Sequence, residues 1–132
     1  MFTGPVEDRA AIRDLIDSYT DAVFQRNAVQ WADAWRDDAI WNLGGEDVSG
    51  KAAVVAAWKQ AMDNFSFVSF AATPGMISVY GPSADVRVYT QEFLIDRNGQ
   101  EIRIHGQYDD RLVKEAGRWR FKSRHYKILH RA

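Results

Sequence analysis

The last quarter of the chain has the pattern of one long β-hairpin, which limits the possible folds more than any other feature. From residue 102 to residue 112, mostly apolar side chains at even positions alternate with polar ones at odd positions. A period of two is typical of a strand with one buried face. After a turn at residues 115–117, Trp119 and Phe121 alternate with basic residues, so here the odd positions are apolar. We therefore predict two paired strands that bury the even face of the first and the odd face of the second.

A polar cluster interrupts the buried face of this hairpin. Residues on the same face of antiparallel strands lie opposite one another, so Tyr108 and Asp110 should lie beside inward side chains of the second strand. Those neighbours are Ser123 and His125. An unpaired buried polar group costs roughly 1 to 3 kcal/mol, so the cluster either satisfies itself or contacts a ligand. One alternative stays open: a β-bulge would turn Arg124 inward in place of His125 and pair it with Asp110.

Length and composition indicate a single domain that spans residues 1–132. Of the 132 residues, 46% are hydrophobic and 13% aromatic, which is enough for a core. The absence of cysteine excludes disulfides and thiolate metal sites. The three histidines lack metal-ligand spacing, so we predict no metal site. No leader pattern and no apolar run of roughly 20 residues occurs, so we expect a cytoplasmic protein without a membrane partner.

The distribution of charge argues against a nucleic-acid partner. Residues 1–66 carry 6 Lys/Arg and 11 Asp/Glu, whereas residues 67–132 carry 11 and 7. Basic residues at positions 118–124 alternate with other side chains, as on the solvent face of a strand. Nucleic-acid binding needs a strongly basic patch that follows phosphates. We predict no such patch.

Three amphipathic helices are predicted before the sheet. The apolar residues of the first helix recur at helical spacing and place Tyr19 on its buried face. Asn27 followed by Gln30 resembles the N-cap of a second helix, and Ser49 can cap a third. The predicted helices cover about residues 6–26, 28–37 and 50–64, with a short strand at 39–43.

Two further strands, at about residues 65–80 and 84–96, precede the hairpin. Asn98 and Gly99 suit a two-residue turn, because both tolerate positive φ. This turn fixes a register in which odd positions of the preceding strand point inward and Glu92 points outward. The inward residues are then Tyr89, Gln91, Phe93 and Ile95.

The same register leaves apolar side chains on the outer face of the sheet. Val86, Val88 and Leu94 would lie there, which is more apolar surface than a free sheet face exposes. We therefore predict a homodimer through the outer sheet face.

Three segments of the sequence resemble a known family. They are AIRDLIDSYTDAVFQRNAVQWADAWRDDAIWNL, SGKAAVVAAW and GQYDDRLVKEAGRWRFKSR. Over nearly its full length the chain is similar to SnoaL-like domains of the nuclear transport factor 2-like superfamily, which includes scytalone dehydratase, ketosteroid isomerase and polyketide cyclase relatives. The resemblance implies a cystatin-like, cone-shaped α+β barrel, with three N-terminal helices packed on a curved, mainly antiparallel sheet. Because one fold supports many activities, it implies no single reaction.

Carried over by position, the resemblance shows that several catalytic groups of these relatives are replaced. Tyr19 is similar to the oxyanion-binding tyrosine of ketosteroid isomerases, whereas the base aspartate of that family falls near Leu43 and its second carboxyl near Gly106. The catalytic positions of the dehydratases are replaced as well. They fall at Val23, Phe24 and about Phe70.

The remaining polar residues are predicted to converge on one pocket. His125 beside Asp110 can act as a general base, since an ordinary histidine pKa near ~6.5 suits proton transfer. Tyr19 or Tyr108 would donate to a developing oxyanion. Other side chains are predicted to contact the ligand. They are Trp41, Asn42, Trp58, Phe70, Tyr89, Gln91, Phe93 and Ser123.

These residues predict a cofactor-independent lyase or isomerase that abstracts a proton from a small apolar carbonyl compound. Two other functions stay open. The first is a non-catalytic ligand-binding or scaffold domain, which the replacements at Leu43, Val23, Phe24 and Phe70 favour. The second is a structural subunit of a partner enzyme, bound through the apolar outer face.

Overall fold

The computed structural model describes residues 1–132 and shows three helices packed on one curved, unclosed sheet of seven strands. The helices are α1 (Val6–Gln25), α2 (Ala28–Asp33) and α3 (Lys51–Met62). The strands are β1 (Phe2–Thr3), β2 (Trp35–Asn42), β3 (Asp47–Ser49), β4 (Phe65–Tyr80), β5 (Ser83–Asp96), β6 (Glu101–Glu115) and β7 (Arg118–Arg131). Their order is β1-β4-β5-β6-β7-β2-β3, with parallel pairing only at β1–β4 and β2–β7. The predicted α+β class is confirmed.

The helices form where apolar periodicity and capping agree. Helix α1 buries Tyr19 as predicted, and the side chain of Asn27 caps α2 by accepting the Gln30 backbone N–H at 3.1 Å. Two boundaries differ from the prediction. Helix α2 ends at Asp33 instead of near residue 37, and α3 begins after Gly50 without a side-chain cap from Ser49. No helix is both long and apolar enough to cross a membrane.

Aromatic side chains fill the space between the helices and the sheet. Trp31 and Trp35 are fully buried, and Trp31 stacks on Trp58 with ring centroids 4.6 Å apart. Tyr19 contacts both Trp31 and Phe70, at centroid distances of 5.4 Å and 5.9 Å. Such pairs add stability beyond the area that they bury, so this cluster holds α1, α2 and α3 against the sheet.

The turn between β5 and β6 is longer than predicted, and this exchanges the two faces of β5. The backbone N–H of Asp96 donates to the carbonyl oxygen of Gln100 at 3.0 Å, so three residues lie between the paired positions instead of two. The register shifts by one residue, and Glu92 lies opposite Ile104 instead of His105. Because side chains alternate along a strand, Glu92 turns inward. The residues predicted to point inward, Tyr89, Gln91, Phe93 and Ile95, lie on the outer face.

The exchange of faces also removes the sequence argument for an apolar outer face. Val86, Val88 and Leu94 are 1%, 0% and 8% exposed, so their predicted outward position is wrong. The outer face carries other apolar side chains. Phe67 of β4 and Tyr89 of β5 are 44% and 42% exposed.

A β-bulge in β7 determines which of its side chains face inward. The register with β6 shifts between Arg111 and Leu112, so the alternation changes after Phe121. Beyond the bulge Arg124 is buried opposite Asp110, whereas His125 is exposed. The predicted inward position of His125 is therefore wrong, and the alternative with a bulge is the one that the structure adopts.

Candidate functional site

An apolar cavity of about 290 Å³ lies between the helices and the inner face of the sheet. This volume is at the lower end of ligand pockets, which span about 300–1,000 Å³, so the cavity suits a small molecule. It has 16 lining residues, and Glu92 is the only one of them with a carboxyl, amino, guanidinium or imidazole group. The aromatic part of the wall consists of Tyr19, Trp41, Trp58, Phe65, Phe70, Tyr108 and Tyr126.

Glu92 is held by one of its two carboxyl oxygens. Thr90 Oγ1 donates to Oε2 at 3.0 Å, and the Tyr126 hydroxyl donates to the same oxygen. The other oxygen, Oε1, makes no hydrogen bond with the protein, although the residue lines the cavity. Burial raises the pKa of Glu92, and the hydrogen bonds from Tyr126 and Thr90 oppose this rise. Oε1 is therefore available to exchange a proton with a molecule in the cavity.

Tyr126 reaches Glu92 by lying across Gly106 of β6. A Cβ atom at Gly106 would lie 2.5 Å from Tyr126 Cζ and would overlap the hydroxyl as well. A glycine at this position leaves room for the ring on the strand surface. Burial raises the pKa of Tyr126 far above its ordinary value, and the neighbouring Glu92 adds to the rise. The phenol therefore remains a hydrogen-bond donor.

Tyr108 and Tyr19 add two further hydroxyl groups to the cavity wall. Trp41 Nε1 donates to the Tyr108 hydroxyl oxygen at 3.3 Å. Because that oxygen accepts the indole N–H, the hydroxyl hydrogen of Tyr108 can point to a ligand. Burial raises the pKa of Tyr108 well above its ordinary value and raises that of Tyr19. Both phenols therefore stay protonated at neutral pH.

A buried ion pair supports these tyrosines from outside the cavity. Arg124 Nε and Nη2 donate to the two carboxylate oxygens of Asp110 at 2.8 Å and 3.0 Å. The guanidinium carbon lies 3.7 Å from the ring centroid of Tyr108 and 4.7 Å from that of Tyr19. Burial raises the pKa of Asp110 to about 6, and Arg124 opposes the rise. Neither charged residue lines the cavity, so the pair fixes the rings without contacting a ligand there.

Comparison with protein families assigns this chain to a family. The sequence model of the SnoaL-like domain family matches residues 5–125. The chain belongs to the SnoaL-like domain family. No curated protein sequence matches this SnoaL-like protein.

Solved structures similar to this SnoaL-like protein cover almost the whole chain. The type 2 hexachlorocyclohexane dehydrochlorinase LinA is 21% identical, with 96% of this chain and 88% of that chain covered and a TM-score of 0.87. LinA-type3 from Novosphingobium barchaimii is 20% identical, with 96% of this chain and 90% of that chain covered and a TM-score of 0.85. A candidate scytalone dehydratase from Novosphingobium aromaticivorans is 19% identical, with 96% of this chain and 87% of that chain covered and a TM-score of 0.88. These similarities confirm the predicted cone-shaped α+β fold.

The SnoaL-like fold brings only part of the predicted site together. The predicted residues that line the cavity are Tyr19, Trp41, Trp58, Phe70 and Tyr108. Asn42 instead donates to Asp47 at 2.8 Å, in the turn that joins β2 to β3. The other predicted ligand contacts do not line the cavity. They are Tyr89, Gln91, Phe93 and Ser123.

The predicted dyad of His125 and Asp110 does not form inside the cavity. His125 is exposed on the outer face opposite Asp109, and Asp110 is buried against Arg124. Tyr126 takes the place beside Tyr108 that was predicted for Ser123 or His125. The catalytic roles of His125 and Asp110 thus remain predictions without the geometry that motivated them.

Sequence reasoning missed Glu92 and Tyr126, and one available signal would have found the first. Val86, Val88 and Leu94 are apolar at even positions of β5. An even apolar face places Glu92 on the buried side of the same strand. The prediction instead relied on Asn98 and Gly99, whose two-residue turn places Glu92 on the outer face. No sequence pattern indicates that a bulge turns Tyr126 inward.

The SnoaL-like domain offers no evident metal centre. No group of three or more histidine, aspartate or glutamate side chains is arranged to hold a metal ion. The donors of the cavity are one carboxyl group and several phenols, of which the phenols remain protonated.

Proposed function

We propose that this SnoaL-like protein is a cofactor-independent lyase or isomerase that removes a proton from a small apolar carbonyl compound. The observation that carries the proposal is the position of Glu92, with one fixed oxygen and one free oxygen in an otherwise apolar cavity. A perturbed titratable group in a concave apolar pocket is a common feature of active sites. The geometry thus favours Glu92 over the predicted His125 as the base.

The reaction would use Glu92 as base and Tyr108 as donor. Oε1 of Glu92 takes a proton from the carbon next to the carbonyl group, and its raised pKa makes the carboxylate a stronger base than one in water. The hydroxyl of Tyr108, already accepting from Trp41, donates to the enolate oxygen that forms. In a lyase the enolate expels a leaving group from the adjacent carbon with its bonding electrons. In an isomerase the proton returns to a different carbon.

The names of the similar structures support this reaction class. A dehydrochlorinase and a dehydratase both catalyse eliminations, of hydrogen chloride and of water. Eliminations of this kind include the loss of a carbon-bound proton to a base. The cavity of this chain supplies one base, Glu92, and no other carboxyl group or imidazole.

Hydrogen exchange in D₂O tests the proposal without the natural substrate. Cyclohexanone and acetophenone are incubated with the protein, and loss of the hydrogens next to the carbonyl is followed by proton NMR. The wild type should accelerate the exchange, and Glu92→Gln should reduce the rate about 100-fold or more. Glu101→Gln, which removes an exposed carboxylate, and His125→Gln should retain the wild-type rate. No exchange above buffer, or equal exchange by Glu92→Gln, would reject the proposal.

A second candidate function is a ligand-binding domain without catalysis. Val23, Leu43 and Phe70 all line the cavity with apolar side chains, at positions where the family resemblance puts catalytic groups of the relatives. These replacements favour binding over chemistry. In that case the ketones would quench the fluorescence of Trp41 and Trp58 without any exchange in D₂O.

The proposal includes a homodimer through the outer sheet face. The homodimer is supported by two exposed aromatic side chains on that face, Phe67 and Tyr89, which are 44% and 42% exposed. The ring of Phe67 contacts that of Phe93 on the same face, with centroids 6.2 Å apart. Exposed aromatic clusters of this kind are common at interfaces between proteins.

A further inference from the structure

Glu92 makes no salt bridge or hydrogen bond with a cationic side chain of the protein. None of the salt bridges in the structure includes it, and both groups that donate to it, the Thr90 and Tyr126 hydroxyls, are neutral. The charge of the buried Arg124 favours the ionised form of Glu92, but its guanidinium binds Asp110 through two hydrogen bonds and makes none with Glu92. Buried carboxylates normally have a counter-charge in contact, and the ionised form of Glu92 has none in direct contact.

The wall around this carboxyl group consists largely of aromatic rings, which attract cations by their faces. The fold already uses this attraction, because Arg124 lies 3.7 Å from the ring centroid of Tyr108. Trp58 stacks on Trp31 at an interplanar angle of 9° and also lines the cavity. Trp41 lines the cavity as well. Indole rings are the best aromatic partners for a cation.

We propose that the cavity binds a small amine in its ammonium form. The ammonium group donates to Oε1 of Glu92, the oxygen without a protein partner. The apolar body of the amine packs against Trp41 and Trp58. The cavity of about 290 Å³ has one carboxyl group, so it selects a single positive charge on a small apolar body.

This ligand class goes beyond the neutral carbonyl compound of the proposed reaction. Binding of an amine requires a cavity, an ionised Glu92 and aromatic neighbours, but it requires no proton abstraction from carbon. An amine on Oε1 would occupy the atom that acts as the base. Amines should therefore inhibit hydrogen exchange in ketones if that activity exists.

Binding of matched probes tests the inference. 2-Phenylethylammonium chloride and 2-phenylethanol have the same apolar body and differ in the charged group. Isothermal titration at neutral pH and low salt measures both affinities. The wild type should bind the ammonium compound at least about tenfold more tightly, because hydrogen bonds between charged groups are stronger than neutral ones. Glu92→Gln should bind the two probes about equally.

Two controls separate the cavity from general attraction of cations. Glu101→Gln removes the same charge from an exposed position of β6 and should keep the full preference. Circular dichroism checks that Glu92→Gln is folded, and the wild-type comparison of amine with alcohol decides the question even if that variant does not fold. Equal affinities for the two probes in the wild type, no binding of either, or a preference that persists in Glu92→Gln would each overturn the inference. All these measurements are made without turnover, so they hold whether or not the ketones exchange.

Discussion

At the scale of single residues, Glu92 combines burial with hydrogen bonds to only one oxygen. Hydrogen bonds from Thr90 and Tyr126 favour its ionised form, whereas removal from water favours the neutral form. Burial is the larger effect, so the pKa in the folded protein lies above the ordinary value of 4.5. The folded state therefore holds this proton more tightly than the unfolded state does.

This difference predicts a dependence of stability on pH. The stabilising contribution of Glu92 is fully present below its unfolded pKa and is lost as the pH rises through its higher folded pKa. Glu92→Gln is neutral at every pH and does not lose this contribution. Urea unfolding from about pH 4 to about pH 8 should thus show the variant becoming more stable relative to the wild type as the pH rises. A difference independent of pH would contradict the raised pKa, and Glu101→Gln is the matched variant at an exposed carboxylate.

At the scale of elements, two local irregularities of the sheet decide which side chains form the site. The even face of β6 is buried as predicted, because its alternation is long and regular. The inward faces of β5 and of β7 beyond Phe121 differ from the prediction, since a longer turn or one extra residue in a strand exchanges the faces. Trp119 and Phe121, before the bulge, are buried as predicted. The carboxylate of Asp96 accepts backbone N–H groups of Asn98 and Gln100, both at 2.9 Å. These bonds favour the longer turn, and the sequence motif Asn-Gly did not indicate them.

The bulge in β7 has a cause in tertiary structure that the sequence does not display locally. It brings Arg124 opposite Asp110, and both side chains are almost fully buried, at 1% and 0% exposure. A buried carboxylate without a cation would be unfavourable, so the pairing compensates the irregularity. The sequence could present this arrangement as an alternative but could not choose it, because Ser123 and His125 also suit an inward face.

The same ion pair supports a prediction about stability. Asp110→Asn leaves the Arg124 guanidinium buried without a counter-charge, so we expect a loss of about 3–5 kcal/mol in the free energy of unfolding. The matched control is Asp85→Asn, which removes the charge from an exposed pairing with Arg111 at 3.3 Å but keeps an amide oxygen that can accept the Tyr80 hydroxyl, and it should cost about 1 kcal/mol or less. Urea unfolding of both variants gives the comparison. Similar losses in the two variants would show that the buried pair has no special role.

At the scale of the whole molecule, the fold was predictable to a far greater extent than the site. Part of the site was predictable because periodicity assigns its residues to the interior. Those residues, which do line the cavity, are Tyr19, Trp41 and Trp58. Glu92 and Tyr126 lie beside them only because the whole sheet adopts one register out of two. Register depends on packing of all strands together, which periodicity in one strand does not determine.

The outer face of that sheet provides the last prediction, which concerns assembly. Phe67 and Tyr89 lie on β4 and β5 with 44% and 42% exposure, and exposed aromatic groups of this kind lose contact with water when two copies pair. We expect a homodimer in light scattering after size-exclusion chromatography, and Phe67→Glu should shift it to the monomer, because a charge would be buried in the interface. Phe24→Glu is the matched control, since Phe24 is 47% exposed on helix α1 instead of the sheet. A monomeric wild type, or a dimer that only Phe24→Glu disrupts, would contradict an interface on the outer sheet face.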